Sequence, residues 1–198
     1  MTHPVLTRAA PLLALPLAAC LGLGGPPPPP TLFTLSSPPV ASAARDVVPG
    51  QTVTVAVPGV PMALRTLRLP VRVSATEYAY LKDAQWVEPP NRLFQRLLSD
   101  AISSRTGLVV LDADQTRIDP GRRLTGQLLD FGLDTSDAQP RVRIRYDAVM
   151  TAPDGKVAVR RFDAERPIAG TAPAVVAQAL DAEAQALAAA VADWVQGR

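Results

Sequence analysis

The sequence predicts an α+β (or α/β) fold, a single domain with a mostly antiparallel sheet, a central amphipathic helix and a C-terminal helix packed on it. Three observations carry this. Val142, Ile144, Tyr146 and Ala148 alternate with Arg141, Arg143, Arg145 and Asp147, the two-residue period of a strand with one buried face. Leu93, Phe94, Leu97, Leu98, Ala101 and Ile102, and later Val176, Leu180, Ala184, Leu187, Val191 and Trp194, recur at spacings of three and four, the stripe of a helix lying on a core. Finally, the order of strands, helix, strands and closing helix fits helices layered on a sheet.

Taken along the chain, Thr31–Leu35 has strand chemistry, and 36–50 is rich in Pro, Ser and Ala and reads as a long surface connection. Strand signals resume at Gln51–Val57, where Val53, Val55 and Val57 alternate with Thr52, Thr54 and Ala56, and again at Leu67, Leu69, Val71 and Val73. Pro58, Pro61 and Pro70 confine these strands to short or edge positions, because proline donates no ladder hydrogen bond. Tyr78-Ala79-Tyr80 reads as strand. Trp86-Val87-Glu88-Pro89-Pro90 leads into the central helix, which Gly107 stops. Leu108–Leu111 is a short apolar run, and Arg122–Phe131 is a strand before the polar break 134–140. Pro153-Asp154-Gly155 turns the Arg141 strand into Val157–Phe162 as a β-hairpin. The last helix opens at Thr171 and Pro173.

Ahead of this domain stands a different kind of segment. Arg8, the apolar run Ala9–Leu17 and the small residues Ala18 and Ala19 follow the order of a secretory leader, so residues 1–19 read as a signal peptide. The run is too short to cross a hydrocarbon core of about 30 Å, and Pro11 and Pro16 interrupt it; nothing later reads as a spanning segment. Leu17-Ala18-Ala19-Cys20 resembles a bacterial lipobox, which implies cleavage between Ala19 and Cys20 and fatty acylation, palmitate included, of the only cysteine. By the sorting rule of such lipoproteins, Leu21 in place of aspartate directs the anchor to the outer membrane, facing the periplasm. One acyl chain binds a membrane marginally and two or more hold it stably. Residues 20–30 then form a lipidated cysteine plus a glycine hinge and the run Pro26–Pro30. We read that run as a stiff spacer rising about 3.1 Å per residue, rather than as a ligand for a proline-recognising domain.

Composition narrows the chemistry. The formal charge is +2, and loses one unit with Arg8, a balance that argues against a nucleic-acid partner. Arginine far outnumbers lysine, but alanine and proline are abundant too, the signature of a GC-rich genome more than of phosphate recognition. The only histidine, His3, lies in the leader, and Cys20 is the lipid attachment point. The mature chain therefore lacks the imidazole of a catalytic triad and the usual ligands of zinc, and forms no internal disulfide. No glycine-rich loop for ATP phosphates occurs, and no cofactor is expected.

Cys20, the early strand Phe33-Thr34-Leu35, the Tyr78-Ala79-Tyr80 to Pro89-Pro90 stretch entering a leucine-rich helix, and the paired strands holding Leu124–Phe131 and Val142–Met150 resemble the ABC-type transport auxiliary lipoprotein family. The resemblance covers residues 31–198. It implies a non-catalytic periplasmic accessory, not an ATPase, that works with an ABC permease and ATPase and a mammalian-cell-entry (MCE) domain protein in moving lipid between membranes. Of functional residues, only Cys20 carries over.

The leading reading is thus a tether and docking module held to the outer membrane by its lipid, a possible homo-oligomer. A direct lipid carrier and an activator of a cell-wall synthase are the alternatives. Asp112, Asp114, Asp119 and Asp130 would be the carboxylates of a hydrolase, but aspartate beside Pro120-Gly121 is expected for turn chemistry alone. Trp86 is read as a core plug rather than a groove lining, with Tyr78 and Tyr80 treated alike. The arginine stripe is read as a solvated face rather than a site for lipid phosphates or an acidic partner.

Overall fold

A computed structural model describes residues 31–37, 48, 50–111 and 121–197. In chain order these hold β1 (Thr31–Phe33), β2 (Thr52–Val55), a 3-10 turn (Met62–Leu64), β3 (Arg68–Arg72), β4 (Tyr78–Trp86), α1 (Pro90–Thr106), β5 (Val109–Leu111), β6 (Arg122–Asp134), β7 (Arg141–Thr151), β8 (Val157–Pro167) and α2 (Pro173–Gln196). The cleavage and sorting residues Ala19, Cys20 and Leu21, the spacer, most of 36–50 and Asp112, Asp114 and Asp119 lie outside the described residues.

β6 organises the sheet. On one edge it pairs antiparallel with β7 along its whole length, and β7 pairs antiparallel with β8, through the turn whose Gly155 takes φ 81°. The other edge of β6 is shared end to end by two short parallel partners: β2 beside Arg122–Leu124 and β3 beside Leu133–Asp134. Gly59 continues the alignment between them, its N–H donating to Gly126 and its carbonyl accepting from Leu128. Beyond these, β5 lies parallel to β2, β4 antiparallel to β3 and β1 parallel to β4. The sheet is therefore mixed. Its long ladders are antiparallel as expected, and its parallel pairings are short and gathered beside β2, β3 and β4.

A bulge in β6 keeps its apolar side chains on one face. Up to Leu128 the inward positions are Leu124 and Leu128; the register shift at Leu129 flips the alternation, so Phe131 and Leu133 point the same way and Asp130 and Asp134 point outward. Gly126 sits opposite Ala148, and any Cβ there would run into the ring of Tyr146 and the carbonyl of Asp147. Glycine is required for that close approach.

Both helices cover the inward face. α1 begins with Pro90 at its first turn and ends at Gly107 in the left-handed region, φ 69°. Its residue Phe94 meets Phe131 (centroids 6.4 Å apart) and the edge of Tyr146 (5.2 Å), while Trp194 of α2 meets Phe162 of β8 (5.8 Å). The start of α2 is at Ala172–Pro173 with no side-chain cap, so Thr171 does not cap it. The two helices are clipped together where Arg105 donates to both carboxylate oxygens of Asp193 at 3.0 Å. α2 is, by length and composition, apolar enough to cross a membrane, yet Val176, Leu180, Ala184, Leu187 and Val191 are buried against the sheet and α1. It is a core helix.

Candidate functional site

The arginine stripe of β7 is flanked on both sides by carboxylates. β6 places Asp130 and Asp134 beside it, and β8 places Asp163 and Glu165. Arg143 lies 3.1 Å from Glu165, 3.6 Å from Asp130 and 3.9 Å from Asp134; Arg145 lies 2.7 Å from Asp163 and 3.7 Å from Asp130. Arg141 pairs with Asp137, and stands 4.0 Å from both Asp134 and Glu165. One row along, the sign reverses: Asp147 of β7 accepts two hydrogen bonds of 2.6 Å from Arg161 of β8. The expectation of a solvated face is corrected, since the side chain of Arg143 is only 19% exposed. Neither does the stripe offer its charge to lipid phosphates, because each guanidinium already faces carboxylates of the same sheet.

The titration of the cluster follows from its geometry. Burial pushes the Asp134 carboxyl up, but the hydroxyl and backbone N–H of Ser136 (2.5 and 2.9 Å) and the charges of Arg141 and Arg72 outweigh it and hold it below the usual range. The hydrogen bond from Arg161 lowers Asp147, and that to Asp163 raises Arg145. Tyr146, whose hydroxyl donates to the Thr125 carbonyl at 3.1 Å, is pushed up by burial. Because folding lowers both Asp134 and Asp147, each contributes stability that is complete above about pH 4 and is lost as pH falls through the lower folded value. Thermal melting from about pH 6 downward should be flat to about pH 4–5 and then fall, with a shallower fall in Asp134→Asn. An acid limb identical in that variant would remove Asp134 from the account.

Of the hydrolase candidates, Asp130 is an ion-pair partner of Arg143 and Arg145. Among the described residues no group of three histidine, cysteine, aspartate or glutamate side chains is placed to hold a metal.

Trp86 is fully buried, 5.5 Å from the ring of Phe131, as a core plug should be. Its backbone N–H donates to Leu67, and its indole N–H has no acceptor among the described residues. The tyrosines differ from it. Tyr78 is 51% exposed, and Tyr80 lies half-buried under the guanidinium of Arg68, 4.4 Å from its ring, with its hydroxyl donating to Ala63. They lie on the outward side of β4, which alternation about Trp86 would have placed inward. Asp83, at φ 56°, breaks that alternation.

Tyr78 borders a cleft of about 110 Å³ between the 3-10 turn and β3, with Pro61, Ala63 and Pro70 on its apolar side and Arg143 and Asp134 at its rim. A larger depression of about 390 Å³ opens to solvent around Gly50, Gln51, Gly107 and Arg122. Neither combines the size and apolar lining of an ordinary ligand site, about 300–1,000 Å³.

On the N-terminal side, Ser36 is fastened to α2. Its N–H and hydroxyl donate to the two carboxylate oxygens of Asp181 (2.8 and 2.6 Å), and Gln185 donates to the Ser36 hydroxyl at 2.6 Å. The chain entering the domain is thus held by β1 on β4 and by this clamp, a feature that no sequence period signals.

Residues 33–192 match the family described as ABC-type transport auxiliary lipoprotein component. No curated protein matches the chain. Among solved structures, a Xanthomonas campestris protein assigned to family DUF330 superposes with a TM-score of 0.70 at 20% identity, over 84% of this chain and 94% of that one. An uncharacterised protein superposes with a TM-score of 0.63 at 16% identity, over 76% and 96%. These two share the fold. A PelC dodecamer subunit from Paraburkholderia phytofirmans reaches 0.41 at 16% identity over 79% and 96%, a likeness too slight to bear on assembly.

Proposed function

Because the chain belongs to the ABC-type transport auxiliary lipoprotein family, we propose that it is a lipid-anchored, periplasm-facing protein of the outer membrane. There it serves an ABC/MCE-type lipid transport system as a non-catalytic tether and docking module. The observation that carries the reading is the family match, which takes in nearly the whole folded region. The lipobox-like Leu17–Cys20 stretch supplies the anchor, and Leu21 its destination. The proline run supplies reach. The filled interior supports docking over carriage, since the apolar side chains of both helices and of the sheet's inward face are spent on one another.

Affinity capture of the full chain from detergent-solubilised envelopes should recover an MCE-domain protein together with ABC components. Capture that brings down neither, with the bait intact and membrane-bound, overturns the proposal.

A further inference from the structure

Three arginines stand apart from the paired stripe of β7. Arg65 follows the 3-10 turn, and Arg68 and Arg72 belong to β3. Arg65 donates to the Val60 carbonyl and Arg72 to the Ser74 carbonyl, each at 3.4 Å, and Arg68 lies over the ring of Tyr80. Among the described residues none of the three is paired with a carboxylate, and Arg72 acts on Asp134 only as a charge at a distance. The nearby carboxylates of Asp130 and Asp134 are taken up by Arg141, Arg143 and Arg145. Positive charge is thus left over around β3.

That charge borders a cleft. Leu69 and Val71 are buried in the core, so Arg68, Pro70 and Arg72 point outward from alternate positions of β3. Tyr80 stands opposite Pro70, and Tyr78 opposite Arg72. Pro70 is one wall of the cleft of about 110 Å³, with Pro61, Ala63 and Leu129 completing its apolar side. The volume is below the roughly 150 Å³ that takes benzene, and suits one aliphatic side chain. An outward arginine of β3 flanks Pro70 on each side, the two about 13 Å apart at roughly 3.3 Å per residue.

We propose that this face of β3 docks an extended acidic segment of a protein partner, which seats one aliphatic side chain in the cleft and sets a carboxylate two residues to either side on Arg68 and Arg72. The inference rests on the docking reading and names the surface that docking uses. An extended chain repeats its side chains every second residue, as β3 does, so the segment has the form acidic-x-aliphatic-x-acidic. Guanidinium forks match carboxylates bidentately, and Arg68, held over a tyrosine ring, keeps its N–H edge for that purpose. Arg65 adds a third charge beside the turn. Met62, 74% exposed between Pro61 and Ala63, adds apolar surface at the mouth of the cleft. The concave shape selects a protein segment over a membrane. A flat anionic bilayer would meet the arginines and leave the cleft unfilled.

The test uses the full chain in intact envelopes, with Met62 replaced by the photo-cross-linker p-benzoylphenylalanine. Irradiation should join it to a partner protein, and mass spectrometry of the digested adduct should place the link in or beside an acidic-x-aliphatic-x-acidic stretch. Adding Arg68→Glu or Arg72→Glu should lower the yield at least about tenfold, because like charges would then face one another across the contact. Arg68→Glu decides the matter where Arg72→Glu fails to fold in a circular dichroism melt. Adding Arg160→Glu should leave the yield unchanged: Arg160 also lacks a carboxylate partner among the described residues, but it lies over Phe162 on the side of the sheet that α2 covers. A link to lipid, to a second copy of this chain or to a stretch without carboxylates, or a yield indifferent to Arg68→Glu, would each overturn the proposal. No link while affinity capture still recovers MCE-domain and ABC components overturns it and leaves the docking reading standing. No link and no capture overturns both.

Discussion

Cys20→Ser is expected to move the protein from the membrane to the soluble fraction and to abolish its labelling with palmitate. The size of the effect follows from acyl burial, about 0.8 kcal/mol per methylene. Losing two or more chains removes tens of kcal/mol of attachment, and no other described segment is available to replace it, α2 being folded into the core. Serine is close in shape, so the folded domain should be unaffected, and a circular dichroism melt of the variant should overlay that of the parent domain. Fractionation of envelopes checks the outcome. Unchanged sedimentation with membranes and unchanged labelling would remove the anchor, and with it the tether reading.

Trp86→Ala is expected to cost about 3–5 kcal/mol of folding stability, a large part of the roughly 5–15 kcal/mol that holds a domain together. The indole at the end of β4 packs fully buried against Phe131 of β6, and alanine would leave a cavity on the side of the sheet that both helices cover. For a domain of this size the loss should lower the melting temperature by about 6–20 °C. Trp86→Phe should lose far less, since it keeps a ring against Phe131 and deletes an indole N–H that has no acceptor among the described residues. The alternative role as a groove lining makes the opposite prediction: alanine would then leave the melt unchanged and weaken partner capture.

How far the sequence could be read depends on which residues carry the period. β7 was legible because Val142, Ile144, Tyr146 and Ala148 are all large or buried and nothing interrupts them. The two helices were legible through their leucine and alanine stripes, and their stops and starts at Gly107 and Pro173 through local backbone preference. β4 was seen in pieces, because Asp83 at positive φ shifts its phase between Tyr80 and Trp86. β8 extends to Pro167 where the sequence stopped it at Phe162, since beyond that point an edge strand carries Asp163, Glu165 and Arg166 with no large apolar side chain to mark the inward face. The parallel pairing of β2 and β3 on one edge of β6 was not legible at all. Neighbours separated by tens of residues leave no local pattern.

The same limit applies to the candidate site. The arginine stripe was visible as a stripe, but the carboxylates that neutralise it come from both flanking strands, and their alignment depends on the bulge at Leu129 and the unbroken register of the hairpin. A strand read alone shows its own charges and none of its neighbours'.

The clamp between Ser36 and Asp181 has a mechanical meaning once the N-terminal end is taken as the end that is pulled. Tension arriving from the membrane meets first a three-residue strand and a handful of polar contacts, and only then the body of the sheet. Those contacts act as a sacrificial link. Rupturing them frees residues 31–36, about 20 Å of slack at roughly 3.3 Å per residue, ahead of the ladders of β6, β7 and β8.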